Sequence, residues 1–336
     1  MQRRRVIGKV VGALAALLIA SGAMLAAQAP GQVPVQTPVQ RPRITGISHV
    51  GYFVSDLPKA IFFWHDFLGY DEAYTLPKVD SNEVRIAFIK INDRQHIELF
   101  NEPPADPSIG PRNMMSHLCF TVSDIEQMRA YLRSRGYNVS PGGGKTQAGD
   151  YAFEIKDPNG MKIEFAQSLP SGMEMQSAGK FLPATRISPR IYHAGYTVGN
   201  AEKTTDFYKM LGFSETWRGG ANPKELSWIN MKVPDGEDYV ELMLYRTLPE
   251  SNLGGKNHLS LVVPDIEQAV ATLEARPAYA AYQQTGKPVK IATGVNGKRQ
   301  VNLYDPDGTR VELMEPKTVD GLPRPSSTAP PPPPSY

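Results

Sequence analysis

The chain has 336 residues, 41% of them hydrophobic, and its 36 Lys and Arg nearly balance 34 Asp and Glu for a formal charge of +2. That length suits two domains of ordinary size, and the balance leaves neither a basic stripe for nucleic acid nor an acidic tail. The single cysteine, Cys119, excludes an intrachain disulfide, a thiolate zinc finger and an N-terminal lipoprotein anchor.

At the N-terminus, Arg3, Arg4 and Arg5 precede an apolar run that carries no charge from Val10 to Ala27 and closes in small residues. This is the pattern of a secretory signal over residues 1–29, and it predicts a periplasmic or secreted protein. Lys9 holds the apolar run to eighteen residues, near the lower limit for a spanning helix. An uncleaved inner-membrane anchor is the alternative, and only then is a membrane a partner. Loss of the signal removes Arg3, Arg4, Arg5 and Lys9 and takes the formal charge from +2 to −2. Residues 30–43 form a Pro- and Gln-rich linker that cannot build a core.

The folded part then repeats itself. HVGYFVSD at His49 returns as HAGYTVGN at His193, and each is echoed within its own half, at His117 (HLCFTVSD) and His258 (HLSLVVPD). Four modules, paired two and two, therefore occupy residues 44–168 and 188–317, with a linker at 169–187. Each module opens in strict alternation: Val50, Tyr52 and Val54 on one face, His49, Gly51 and Phe53 on the other. Period two means a strand with one packed face, and the histidine lies on the opposite side. Asp56, Asp124, Asn200 or Asp265 then leads into an amphipathic stretch, a capped helix. Helices are expected to stop near Gly69, Gly136 and Gly212. Shorter alternating runs complete a βαβββ module. Asp157-Pro-Asn-Gly and Asp305-Pro-Asp-Gly are turns before the final strands. Residues 318–336 contain five consecutive prolines and are expected to be a solvated, disordered tail.

Alternation also places a carboxylate on each module's last strand, opposite the packed face: Glu98, Glu164, Glu241 and Glu312. Each half thus offers two histidines and two glutamates: His49, Glu98, His117 and Glu164 in the first, His193, Glu241, His258 and Glu312 in the second. Imidazole nitrogens with carboxylate oxygens suit one divalent zinc, nickel, cobalt, manganese or iron ion per half. Glutamates on an inward sheet face are costly unless paired or metal-bound.

These residues, together with Phe207-Tyr208 and Leu211-Gly212-Phe213, the looser Phe63-Trp64 and Leu68-Gly69-Tyr70, and the DPxG turns, resemble the vicinal oxygen chelate superfamily. That group includes glyoxalase I, methylmalonyl-CoA epimerase, extradiol dioxygenases and bleomycin-resistance proteins. The resemblance implies an α+β protein with two domains, each of paired βαβββ modules curved into a half-open barrel around a metal. Glyoxalase I-like enzymes use His, Glu, His and Glu at the positions of His49, Glu98, His117 and Glu164, and the second half matches equally. Epimerases of the group usually carry glutamine where Glu98 and Glu241 stand.

The implied chemistry is metal-assisted proton transfer through an enediolate, on a small substrate with adjacent oxygens. Glu98 or Glu164 in the first half, and Glu241 or Glu312 in the second, is the implied base. The alternatives are an extradiol-type dioxygenase with iron(II) and a non-enzymatic small-molecule binding protein. His96, on the same face as Glu98, and Tyr239 at the matching place are weaker candidates for substrate contact. Cys119 reads as a small cleft residue, His65 as a surface residue, and Gly142 to Gly144 with Lys145 as a turn or lid. A chain with four modules can be complete as a monomer or can form a homodimer.

Overall fold

The chain is described by a computed structural model that covers residues 38–102, 114–140, 142, 144–249 and 253–336. The expected signal at 1–29 lies outside these residues. Among the described residues no helix is long and apolar enough to cross a membrane.

The first module runs β1 (Ile44–Phe53), α1 (Leu57–Phe62), β2 (Glu72–Pro77), β3 (Val84–Asn92) and β4 (Gln95–Phe100). The second runs β5 (Met115–Val122), α2 (Ile125–Ser134), β6 (Tyr151–Lys156) and β7 (Lys162–Gln167), and α3 (Met173–Gln176) follows in the linker. The third contains β8 (Ile191–Val198), α4 (Ala201–Met210), β9 (Ser214–Gly219), β10 (Trp228–Lys232) and β11 (Tyr239–Leu244). The fourth contains β12 (His258–Val262), α5 (Ile266–Glu274), α6 (Tyr279–Gln283), β13 (Ile291–Thr293), β14 (Lys298–Tyr304) and β15 (Arg310–Thr318).

Two mixed sheets result, ordered β2-β3-β4-β1-β5-β7-β6 and β13-β14-β15-β12-β8-β11-β10-β9. In each, the opening strands of the paired modules lie antiparallel at the centre, and each has its own module's last strand parallel on its outer side.

The helices start where side chains can satisfy their first N–H groups. Asp56 accepts from Lys59 N at 3.1 Å, Asp124 from Gln127 N at 2.9 Å, Asn200 from Lys203 N at 3.0 Å and Asp265 from Gln268 N at 3.0 Å. Gly69, Gly136 and Gly212 end them at φ +83, +86 and +88, a region that glycine enters without steric penalty. The segment Phe63–Phe67 continues α1 as a π turn, which sends Phe63, Trp64 and Phe67 into the core.

The two lobes share one apolar core, and Val39–Tyr336 forms a single compact unit. Phe67 of the first module stacks on Tyr282 of the fourth at 4.3 Å, and Phe120 of the second meets Phe213 of the third at 5.1 Å. Polar groups tie the same seams. Tyr70 Oη donates to Ser188 O at 3.0 Å, and Tyr196 Oη donates to Asp157 Oδ2 at 2.7 Å.

Three features depart from the sequence expectation. Among the described residues, the second module has two strands after its helix, β6 and β7, rather than three. The linker at 169–187 is structured, and its Ser177 carbonyl accepts from the buried Lys90 ammonium. The Pro-rich tail also lies against the second lobe: Ser327 N donates to Arg218 O, Leu226 N to Pro330 O and Ser335 N to Gly199 O, each at 2.9 Å. Proline lacks an N–H but keeps its carbonyl, so an extended proline segment can still accept from a neighbouring strand.

Candidate metal centres

Register brings the eight polar residues into two clusters. In the first lobe His49 pairs with Cys119 and His117 with Gly51 across β1 and β5, while Glu98 lies beside Gly51 and Glu164 beside Cys119. In the second lobe His193 pairs with Ser260 and His258 with Gly195, with Glu241 beside Gly195 and Glu312 beside Ser260. The residue two places after each strand histidine is therefore small: Gly51, Cys119, Gly195 or Ser260. Two of these are needed as glycine, since a Cβ at Gly51 would run into the His117 ring, and one at Gly195 into the His258 ring.

The donor atoms converge. In the first cluster His49 Nε2 is 2.9 Å from His117 Nε2, His117 Nε2 is 3.5 Å from Glu98 Oε2 and 3.4 Å from Glu164 Oε2, and His49 Nε2 is 3.7 Å from Glu98 Oε1. In the second, His193 Nε2 is 3.0 Å from His258 Nε2 and 3.4 Å from Glu312 Oε2, while His258 Nε2 is 3.5 Å from Glu241 Oε2. Bonds of about 2.1 Å to one ion place neighbouring ligand atoms roughly 3.0 to 3.4 Å apart, from octahedral to tetrahedral geometry. The clusters have nearly these edges. Among the described residues, His49, His117 and Glu164 form one candidate ion-binding group, and His193, Glu241 and His258 another.

Electrostatics agree with that fit. Burial holds His49, His117, His193 and His258 below the usual imidazole range, which favours rings that keep a lone pair, although the Glu98 charge opposes this at His49 and His117. Burial raises Glu164 well above the carboxylate range, with the Glu98 charge adding to it. Burial and then the Glu312 charge push Glu241 up to about 8. Burial also raises Glu312, whose Oε2 has no hydrogen-bond partner. Glu98 differs: burial alone would raise it, but the surrounding imidazoles, His49 foremost, outweigh that and hold it low. The raised proton affinity of Glu164, Glu241 and Glu312 marks buried carboxylates that a divalent cation would satisfy.

The weaker candidates sit beside the clusters. His96 stacks on His49 at 4.5 Å, with its Nε2 3.7 Å from Glu98 Oε1, and it forms a further candidate ion-binding group with His49 and Glu98. Tyr239 stacks on His193 at 4.6 Å in the corresponding place. Cys119 is buried beside Glu164, and burial pushes its thiol up. His65 is half exposed, with its ring nitrogens near Asp66 and Asp71.

Sequence reasoning missed the groups behind the clustered imidazoles. Ser48 Oγ lies 3.2 Å from His49 Nδ1, and Ser116 Oγ lies 3.2 Å from His117 Nδ1. The repeated Ser-His pair was a readable signal for these. In the second lobe His193 Nδ1 has no partner among the described residues, while His258 Nδ1 lies 2.9 Å from Lys256 O and 2.5 Å from Arg310 Nη2. The first cluster opens into a cavity of about 170 Å³ lined by Tyr74, Phe88 and Asp150, the second into one of about 210 Å³ lined by Trp217, Trp228 and Arg310.

A family profile described as the Glyoxalase/Bleomycin resistance protein/Dioxygenase superfamily matches residues 46–165 and 190–313. The chain belongs to this superfamily. Among its relatives, a 2-epi-5-epi-valiolone epimerase of Actinomyces sp is 29% identical over 153 residues, 39% of this chain and 83% of that protein. A lactoylglutathione lyase of Schizosaccharomyces pombe is 26% identical over 226 residues, 62% of this chain and 68% of that protein. Homoprotocatechuate 2,3-dioxygenase from Brevibacterium fuscum, solved with its substrate without oxygen, superposes with a TM-score of 0.57 at 16% identity, covering 82% of each chain. At that identity the likeness concerns the fold, which is the superfamily's α+β fold with two domains in tandem. The superfamily's chemistry is directed at small molecules, and the His/Glu groups in each domain are consistent with divalent metal.

Proposed function

We propose that the chain is a metal-dependent, glyoxalase-type lyase or isomerase acting on a small substrate with two adjacent oxygens. The observation that carries this reading is the convergence of two imidazoles and two carboxylates in each lobe, with the Nε2 atoms 2.9 and 3.0 Å apart. A bound divalent ion would supply Lewis-acid polarisation of the substrate carbonyl.

The chain's own residues would do the rest. His49 and His117, or His193 and His258, offer Nε2 lone pairs held in place by strand register. One of the two carboxylates in each lobe, Glu98 or Glu164 in the first and Glu241 or Glu312 in the second, removes the proton beside the carbonyl and returns it to the neighbouring carbon. His96 and Tyr239 stack on a ligating ring and fix its plane. The fourth ligand favours proton transfer over oxygen chemistry, because an extradiol site needs only two histidines and one carboxylate.

Elemental analysis of the purified chain, followed by a screen of hydroxy-ketone and hemithioacetal substrates with and without chelator, tests the proposal. Two divalent ions per chain and chelator-sensitive turnover are expected. Absence of any bound divalent ion overturns it. Oxygen uptake with catechols would establish the dioxygenase reading instead, and tight binding without turnover the binding-protein reading.

We also propose that the chain works outside the cytoplasm, on the strength of the charged, apolar and small-residue pattern of residues 1–29. Cell fractionation with N-terminal sequencing checks it. An intact N-terminus in the membrane fraction would mean an anchor, and one in the cytoplasm would end the idea.

A further inference from the structure

Beside the second cluster lies a separate cavity of about 460 Å³, lined among others by Arg190, Tyr192, Asn230, Lys232, Lys298 and Arg324. Trp217 and Asn296 line both this cavity and the one holding Glu241 and Glu312, so the two adjoin. Tyr239, stacked on His193, forms part of its wall.

Four of these residues are cations, and three have carboxylates near them. Arg190 Nη1 is 3.0 Å from Asp238, Arg324 Nη1 is 3.0 Å from Asp320, and Lys232 Nζ is 3.6 Å from the highly exposed Glu237. Lys298 is different. Its ammonium donates to Tyr192 Oη at 2.6 Å and lies 4.9 Å over that ring, and among the described residues it forms no ion pair with a carboxylate. Two further polar groups there have no partner among the described residues. Asn230 is buried at 8% exposure with its Oδ1 unbonded, and Trp217 Nε1 is buried without an acceptor. An indole N–H is a donor only, and an amide can present its NH2 by flipping, so both suit an acceptor-rich ligand.

The first lobe lacks this arrangement. By repeat and register, Arg190 and Tyr192 correspond to Gly46 and Ser48, Asn230 to Phe88, and Lys298 to Asp150. Lys232 corresponds to Lys90, which is neutralised by Asp93 at 2.7 Å and covered by the linker's Ser177. The charge at this wall is therefore reversed in the second lobe and left open.

We propose that this cavity is an anion-binding site, centred on Lys298, that takes a carboxylate or phosphate group. Taken with the metal-dependent reading above, on which this second step rests, it gives the second lobe an anionic substrate: adjacent oxygens at the His/Glu cluster and an acidic group in the neighbouring cavity. The first lobe would take an uncharged one.

Titration calorimetry on the metal-loaded full chain, with inorganic phosphate and with malonate as separate probes, tests it. Saturable binding of one anion per chain is expected, weakened at least tenfold by Lys298→Gln and unaltered by Lys162→Gln in the first lobe. The stronger of the two probes identifies the ligand chemistry. His258→Ala, which removes a cluster imidazole, is expected to lose one metal ion and keep the anion. Absence of saturable binding, or equal binding by Lys298→Gln, overturns the anion site even if both metals are present. Retained anion binding in a chain that holds no metal would leave the site standing and remove only the substrate assignment. Thermal melting of Lys298→Gln and of the milder Arg324→Gln checks that losses are not unfolding.

Discussion

The two lobes keep the same pair of histidines and pair of glutamates and surround them differently. Behind the first cluster stand two serine hydroxyls that can accept from Nδ1–H, fixing both imidazoles with Nε2 unprotonated. Behind the second stand a guanidinium against His258 and, among the described residues, no partner for His193 Nδ1. Beside the first lies a third imidazole, His96, and beside the second a tyrosine, Tyr239. Register conserves what the strands hold in place, while the charge around the cup is free to diverge. The first lobe is the better cation site on these grounds, and the second is the one adapted to negative charge.

The largest test of that contrast is ligand removal. His117→Ala is expected to reduce bound metal from two ions per chain to one and to leave only the weaker site, with affinity at least about 100-fold below the wild-type first site, as read by chelator competition. His258→Ala removes the weaker ion and leaves the tighter one. Equal affinities in these two variants would erase the distinction between the lobes.

The seam offers a test of comparable size. Phe120→Ala deletes a ring packed on both Phe165 and Phe213, and a loss of about 3–5 kcal/mol in denaturant unfolding is expected. Because both lobes share the core, the variant should unfold in one transition, and a split into two would separate them.

Smaller effects sharpen the comparison. Ser48→Ala should weaken metal in the first lobe by roughly tenfold by removing the group behind His49. Arg310→Gln should strengthen it in the second by a few-fold, since a like charge leaves the neighbourhood of the ion. Chelator competition reads both.

A further test concerns the paired turns. Asp157 receives the Tyr196 hydroxyl, whereas Tyr52, at the corresponding position near Asp305, has a hydroxyl without a partner among the described residues. Burial pushes Asp305 up to about 7 from an ordinary 3.8. Its contribution to stability is therefore full below the unfolded value and is lost as pH rises through the folded one. Asp305→Asn keeps the acceptor for Thr309 N and should flatten the decline between pH 4 and 8 by ~1 kcal/mol or more. Urea unfolding at the two pH values reads the difference.

Much of this was legible in the sequence, for a physical reason. Strand alternation has period two, so one histidine and one glutamate per module fix which face carries them, and the fourfold repeat identifies the pairing. Asp56, Asp124, Asn200 and Asp265 announced their helices by the same local chemistry that caps them. What stayed hidden depends on contacts between modules. Arg310 and Lys298 look like ordinary strand charges until register sets one beside His258 and leaves the other without a carboxylate. The attachment of the tail was equally unreadable, because polyproline accepts hydrogen bonds only from whatever strand lies beside it.

The crossed aromatic seams have a consequence for dissecting the protein. Phe67 finds its stacking partner in the fourth module and Phe120 finds its own in the third. Severing the chain at the 169–187 connection would strip each half of the rings that shield it, baring sticky surface on both. The duplicated halves have become mutual chaperones, and expression of either alone would yield aggregate rather than a working miniature.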